Sequence, residues 1–145
     1  MAQLNAEFDP AMQSWLVRFL SQAGATAGTV HLYKEGGLRR TAAVNIPPQV
    51  QQAVQWVPVG KGMAGLALER GEPVQTCNLQ DDGPSAVQPG ARAVNAKAAV
   101  ALPVRDQAGA ILAVVGAAFS EEREIHGAEL ERLQRAAAAL AGVVG

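Results

Sequence analysis

A chain of 145 residues with a net charge of −1 and no basic cluster beyond Arg39-Arg40 excludes an ordinary nucleic-acid binder, which carries a basic face. Hydrophobic residues make up 49% of the chain, enough to build the core of one domain without metal or disulfide. The single cysteine, Cys77, excludes an internal disulfide and fits a reducing compartment. Because no signal peptide is recognisable and the apolar runs are too short to span a bilayer, we expect one cytoplasmic domain over residues 1–145, with no membrane partner.

The first predicted element is an amphipathic helix. Asp9 and Pro10 are residue types that favour the N-cap and the first helical position. Apolar side chains then recur at spacings of three and four until Gly24, as they do on one face of a helix. These positions are Met12, Trp15, Leu16, Phe19, Leu20 and Ala23.

A β-hairpin is predicted next. Thr29–Glu35 alternates between apolar and polar residues, and Leu38–Val44 has the composition of a strand that pairs back onto it. Gly36-Gly37 is predicted as the two-residue turn, because both glycines accept a positive φ. A short helix is expected over Gln49–Gln55.

The middle of the chain alternates short elements. Trp56–Val59 is predicted to be extended, Met63–Arg70 to be a short helix that ends at Gly71, and Pro73–Cys77 to be a strand. Asn78–Asn95 has the composition of a loop, and a loop of this length is either functional or mobile.

The last third contains a second hairpin and a helix. Ala98–Arg105 and Ala110–Phe119 are strongly apolar strands joined by the turn Asp106–Gly109, and a helix is predicted from His126 to Val144. Adjacent hairpins imply an antiparallel sheet with helices packed against it, an α+β architecture of about five to six strands.

A glycine-rich turn matches the dinucleotide-binding pattern G-x-G-x-x-G at Gly60, Gly62 and Gly65. That pattern works in a βαβ unit, whose crossover helix must traverse a parallel sheet. Only five residues separate Gly65 from Gly71, too few for such a helix. We therefore interpret the three glycines as a tight strand-to-helix turn.

No residues stand at the spacing of a metal-binding motif. His31 and His126 lie on different elements, and Cys77 has no partner at ligand spacing. No Lys, Arg or His within a few residues of Cys77 would stabilise a thiolate. We interpret Cys77 as structural, with a pocket-lining role or a catalytic role as the alternatives.

The order of these motifs resembles the GAF domain family over residues 10–144. Four motifs carry the resemblance: the glycine turn in Trp56–Gly65, the Gly-Glu-Pro in Arg70–Val74, the Leu-Pro-Val in Ala99–Val104 and the E-L-x-x-L of Glu129–Leu133. The resemblance implies an antiparallel sheet with N- and C-terminal helices on one face. It implies short helices and the long loop over a pocket on the other. GAF domains are sensory or regulatory modules for cyclic nucleotides, tetrapyrroles, haem, small metabolites or no ligand, and a minority reduce free methionine-R-sulfoxide.

The specialised subfamilies carry motifs from which this chain departs. The reductases have a cysteine at the position of Ala64 and further cysteines elsewhere. Cyclic-nucleotide GAF domains often carry N-K-x-F-D-E, of which only Asn95 and Lys97 have a counterpart here. Bilin-binding members attach their chromophore through a cysteine followed by His, whereas Cys77 is followed by Asn78.

We therefore predict a stand-alone sensory or regulatory domain that binds an unknown small molecule and acts through dimerisation or a partner signalling protein. The alternatives are a reductase-like enzyme and a ligand-free dimerisation module. Reductase chemistry needs a second thiol to resolve a sulfenic acid, and Cys77 has none within the chain, so no such activity is predicted. The sequence leaves the cofactor unknown.

The candidate pocket lies between the apolar sheet and the segment Asn78–Asn95, because loops carry binding groups that strands position. Gln75 and Cys77 share one face of their strand. Arg92, Asn95 and Lys97 lie on or beside the covering segment, where they could meet an anionic or carbonyl group. The alternative is that these polar residues face water.

A homodimer is predicted on the terminal helices. Leu130, Leu133, Ala137, Leu140 and Val144 recur at the spacing of a coiled-coil seam, and a helix that is apolar all round is usually buried on more than one side. Trp15 and Phe19 of the first helix could complete a four-helix bundle across a two-fold axis. The alternative is that the seam covers only this domain's own sheet.

Overall fold

A computed structural model describes residues 9–46, 55–76, 97–121, 125 and 127–144. The elements in chain order are α1 (Pro10–Ala23), β1 (Ala27–Lys34), β2 (Gly37–Val44), β3 (Trp56–Pro58), α2 (Gly62–Arg70), β4 (Val74–Thr76), β5 (Ala98–Arg105), β6 (Ile111–Phe119), α3 (Ala128–Ala138) and α4 (Leu140–Val144). Within these residues, six antiparallel strands form one sheet in the order β3-β2-β1-β6-β5-β4. The predicted α+β architecture is confirmed.

The limits of α1 follow from its caps, as predicted. Asp9 Oδ1 accepts hydrogen bonds from the backbone N–H groups of Ala11 (2.9 Å) and Met12 (3.1 Å), which satisfies two donors that a helix start leaves open. Gly24 ends the helix in the left-handed region at φ +76°. The apolar face predicted from the spacing is the buried face, where the rings of Trp15 and Phe19 stack with centroids 5.0 Å apart.

The turn of the first hairpin lies one residue earlier than predicted. Lys34 pairs with Gly37, so Glu35 and Gly36 form the two-residue turn, with φ angles of +55° and +85°. Gly37 belongs to β2, where the indole of Trp56 lies across it. A Cβ atom at Gly37 would lie 2.5 Å from Cζ2 of that ring. The second glycine of the doublet therefore serves packing rather than the turn.

The sheet has two unequal faces. Val30, Leu102 and Val115 lie on the face that α1, α3 and α4 cover, which we call the helical face. Leu38 and Val114 lie on the opposite face, which α2 partly covers and which we call the α2 face. Both faces contribute apolar side chains to a core, so burial of the sheet on both sides stabilises the fold.

The C-terminal segment differs from the single helix predicted over 126–144. It divides into α3 and α4 at Ala139, where two i to i−3 hydrogen bonds replace the regular pattern: Ala139 N–H to Ala136 O (3.3 Å) and Gly142 N–H to Ala139 O (3.2 Å). The tightened turn keeps both Ala137 and Leu140 fully buried in the core.

The side chains predicted for a dimer interface are used within the protomer. Trp15, Phe19, Leu133, Ala137 and Leu140 are buried in the core on the helical face, and Val144 is half-buried against it. This arrangement matches the alternative in which the seam covers the domain's own sheet. The homodimer stays a prediction, and any interface would have to use other side chains of these helices.

Two further points complete the description of the fold. The helix predicted over residues 49–55 lies outside the described residues except for Gln55, which forms a bend before β3. Within the described ranges, every helix is too short or too polar to cross a membrane.

Candidate functional site

The glycine turn brings α2 tightly against β3. Gly60 and Gly62 have φ angles of +84° and +63°, which glycine adopts without strain. A Cβ atom at Gly65 would lie 2.6 Å from the carbonyl oxygen of Pro58, so only glycine fits this approach. The geometry is that of a tight strand-to-helix turn, as interpreted from the sequence. It fixes α2 over one half of the α2 face.

Beneath α2, the sheet is closed by apolar side chains. Leu38, Val57, Val74, Ala101 and Val114 are buried there together with Ala67 of the helix. Met63, Ala64, Leu66 and Leu68 pack around them. This half of the face is filled by the chain itself and leaves no space for a ligand.

The other half of the α2 face has a floor of small residues. Thr29 pairs directly with both Ala43 and Gly116, and Ala118 pairs with Ala99, so these side chains point to one side of the sheet. Thr29, Ala99 and Gly116 are only half-buried. Gly116 carries no side chain where a Cβ atom would lie 3.1 Å from Thr29 Oγ1. We call these five residues the small-residue floor, because their short side chains rise little above this part of the sheet.

Two polar side chains lie between the floor and the apolar half. His31 of β1 and Arg40 of β2 are Cα partners across adjacent strands, and His31 pairs on its other side with Val114, which places all three on the α2 face. His31 is 3% exposed and Arg40 is 6% exposed. Arginine is permanently ionised and strongly prefers water, so a buried guanidinium is unusual.

A register shift between Val30 and His31 helps to place this pair. Val30 pairs with Ala42 and His31 with Arg40, so Thr41 is an extra residue in β2. The bulge lets Ala42 join the helical core while Arg40 stays on the α2 face with Leu38. The sequence analysis mentioned His31 only as a histidine that has no metal-ligand neighbour, and Arg40 only as part of a basic pair. The alternation of the two predicted strands could have indicated that His31 and Arg40 lie on the same face of the hairpin.

Of the predicted ligand-binding residues, the structure describes Gln75 and Lys97. Gln75 pairs with Val100, whose side chain lies in the helical core, so Gln75 points away from the α2 face. Its Oε1 accepts from Ile125 N–H at 2.9 Å and its Nε2 donates to Ile125 O. Its amide is thus occupied by a backbone contact that ties β4 to the segment before α3.

Lys97 lies exposed one residue before β5, with its backbone N–H bonded to Phe119 O at 2.9 Å. The structure does not bring it together with Gln75. Cys77, Arg92 and Asn95 lie outside the described residues, as does the covering segment 78–95.

A second concavity lies between α3 and the edge of β5. It is an open groove of about 590 Å³ lined in part by Pro103, Leu130 and Gln134. One of its two arginines, Arg105, already donates to Gly71 O (2.8 Å) and Gly109 O (2.6 Å). Gln134 Nε2 donates to Pro103 O at 2.6 Å. Backbone carbonyl groups beside the groove thus engage Arg105 and Gln134.

A metal centre has no support in the described part of the chain. No three His, Cys, Asp or Glu side chains there lie close enough together to hold a metal ion. The polar groups of the described part of the α2 face include the Thr29 hydroxyl, the His31 imidazole and the Arg40 guanidinium.

The fold and the half-covered sheet face define the class: an α+β domain whose antiparallel sheet has helices on one side and a partly covered surface on the other. The chain belongs to the GAF domain family, whose family model matches residues 8–144. Among proteins with curated functions, none matches the sequence at a significant level.

Several solved structures share the fold. The type II free methionine-R-sulfoxide reductase of Thermoplasma acidophilum aligns with a TM-score of 0.74 at 16% identity, over 92% of this chain and 89% of that one. A GAF domain/HD domain protein of Geobacter sulfurreducens aligns with a TM-score of 0.73 at 11% identity, over 92% and 89%. NreA of Staphylococcus aureus, mutated in its nitrate binding site, aligns with a TM-score of 0.69 at 16% identity, over 88% and 98%. At these identities the likeness shows the fold alone.

Proposed function

We propose that this chain is a sensory or regulatory GAF domain that binds a small molecule on the α2 face, above the small-residue floor. The observation that carries the proposal is the contrast between the two halves of that face. One half is filled by α2, whereas the other presents Thr29, Ala99 and Gly116 beside a buried imidazole and guanidinium. A concave, mostly apolar surface with a few convergent polar groups is typical of small-molecule sites.

The contacts of β4 offer a route by which binding would reach the rest of the domain. Val74 of β4 contributes to the α2 face, whereas Gln75 holds Ile125 just before α3. A ligand that favours one position of β4 would therefore favour one position of the terminal helices, provided that it binds the two states unequally. Self-association or a partner signalling protein would then read out that position.

Native mass spectrometry of the purified chain tests the proposal. We expect a mass above that of the polypeptide, and this mass should leave on denaturation. Ala99→Leu places a larger side chain above the floor and should abolish the extra mass, whereas Ala11→Leu, at an exposed position of α1, should retain it. If both variants lose the extra mass, or if neither does, the bound molecule lies elsewhere on the chain.

The enzymatic alternative is disfavoured by the sequence of the chain. Reduction of methionine sulfoxide by a thiol leaves a sulfenic acid that a second thiol must resolve, and Cys77 is the only cysteine. We expect no turnover of free methionine-R-sulfoxide with a thiol-recycling system. Turnover that disappears in Cys77→Ser would establish the enzyme and remove the sensory proposal.

A further inference from the structure

The groove between α3 and the edge of β5 lies outside the proposed small-molecule site. It is open, has a volume of about 590 Å³ and carries charges of both signs, because Glu72 and Glu131 are acidic and Arg105 and Arg135 are basic. Its apolar lining residues are Pro73, Pro103, Leu130 and Ala138. Apolar side chains together with charges of both signs are typical of a surface that another protein covers, rather than of a site for one small ion.

The α3 wall of this groove consists of two rows of side chains. Leu130, Gln134 and Ala138 form one row, and Glu131 and Arg135 form the next, each member four residues after the one before it. Residues at this spacing lie one above the other on the same face of a helix. Ala138 is exposed and small, so a second backbone can approach closely there. The wall is therefore a helix surface that a second helix can pack against.

The order of the two charges makes this wall complementary to itself. Glu131 and Arg135 are both exposed. When two α3 helices pack antiparallel about a two-fold axis, Glu131 of each copy can lie opposite Arg135 of the other, so the contact occurs twice. Parallel packing would instead place Glu131 opposite Glu131, which is repulsive. The charges therefore favour a second copy of the same helix in the antiparallel direction.

The amide of Gln134 adds an acceptor that the described part of the chain does not satisfy. Its Nε2 donates to Pro103 O, whereas its Oε1 is buried and has no hydrogen-bond partner there. Gln134 follows Glu131 by three residues, so the two side chains lie on the same face of α3. An arginine docked against Glu131 has donors to spare for a neighbouring acceptor. The same contact can thus serve both groups.

We infer that the groove is the surface at which a second copy of this chain docks, with α3 antiparallel to α3 of that copy and Glu131 paired with Arg135 in both directions. This inference goes beyond the small-molecule site and does not depend on it. It uses the side of α3 that faces away from the buried apolar seam, which the protomer's own core occupies. The opposite wall of the groove, Gly71–Pro73, connects α2 to β4. A shift of β4 would therefore alter the interface between the two copies.

Charge reversal on α3 tests the interface by analytical ultracentrifugation at a series of micromolar concentrations. The wild type should dimerise. Glu131→Arg and Arg135→Glu each place like charges opposite one another and should raise the dissociation constant of the dimer about tenfold or more. Arg18→Glu reverses an exposed charge on α1, outside the groove, and should leave the dissociation constant unchanged.

Combination of the two reversals gives a result that a folding defect cannot imitate. The double variant Glu131→Arg/Arg135→Glu exchanges the charges and should dimerise as the wild type does. An equimolar mixture of the two single variants should form a heterodimer, because every contact then joins opposite charges, whereas each variant alone should be monomeric. Native mass spectrometry distinguishes the heterodimer from the two homodimers by mass.

A monomeric wild type would overturn the inference, as would single reversals that leave the dissociation constant unchanged. A double variant that stays monomeric would show that the two charges do not face each other. These outcomes are distinct from those of the proposed function. A monomer that carries the additional mass of a small molecule would remove the interface and leave the small-molecule site, whereas a dimer without that mass would support the interface alone.

Discussion

Replacement of Gly65 by alanine should destabilise the domain, although alanine is the better helix former. The added Cβ atom would lie 2.6 Å from Pro58 O and 3.1 Å from Gly60 N. Neither atom is free to move, because Pro58 O accepts from Lys61 N–H at 3.1 Å and Gly60 N–H donates to Gly65 O at 2.9 Å. The methyl group must therefore push α2 away from β3.

The expected magnitude is the difference between two opposing effects. Overpacking of this kind costs about 1–3 kcal/mol, and the higher helix propensity of alanine returns about 1 kcal/mol. We expect a net loss of up to about 2 kcal/mol, which lowers the melting temperature by up to about 6 °C for a chain of this size.

Gly142→Ala is the matched control. Gly142 lies in α4, and a Cβ atom there would have no neighbour within 4 Å. This variant should gain about 0.5–1 kcal/mol from helix propensity alone. Urea denaturation of both variants measures the two free energies of unfolding. If Gly65→Ala were as stable as Gly142→Ala, the close contact between α2 and β3 would not exist and the geometry argued for the α2 face would be wrong.

Three further predictions concern other parts of the chain. Gln75→Leu should cost about 2 kcal/mol by urea denaturation, because the N–H and C=O of Ile125 lose their partners; an unchanged midpoint would contradict the proposed link between β4 and α3. Glu35→Asn should raise the melting temperature slightly, because asparagine tolerates the positive φ at Glu35 better than glutamate does; a decrease would show that the Glu35 side chain stabilises the turn. The homodimer should appear by light scattering at micromolar concentration and should weaken in Ala138→Glu and Ala139→Glu, which change exposed positions; a monomeric wild type would refute it.

Local signals in the sequence predicted the elements more closely than their contacts. The limits of α1 depend on Asp9, Pro10 and Gly24, which act within a few residues, so the sequence was sufficient to place them. The hairpin turn was predicted one residue too late, because the doublet Gly36-Gly37 is compatible with two positions of the turn. In the structure, Trp56 of β3 packs on Gly37 and favours the observed position of the turn. The local sequence around the doublet does not contain that information.

The site was harder to predict because strand pairing decides which face a side chain joins. Alternation along β4 correctly predicts that Gln75 and Val74 lie on opposite faces of the sheet. Only the pairing of β4 with β5 shows that the face of Gln75 is the helical face. His31 and Arg40 meet through the pairing of β1 with β2, including its bulge. The apolar seam of the last helix was recognised, whereas its partner, the domain's own sheet, could be stated only as an alternative.

Electron density over the α2 face in crystals of the purified chain tests the central claim most directly. The account predicts a bound molecule above Thr29, Ala99 and Gly116. If side chains of the chain itself fill the space above this floor and leave no room for a ligand, the small-molecule site does not exist and the proposed sensory function loses its physical basis.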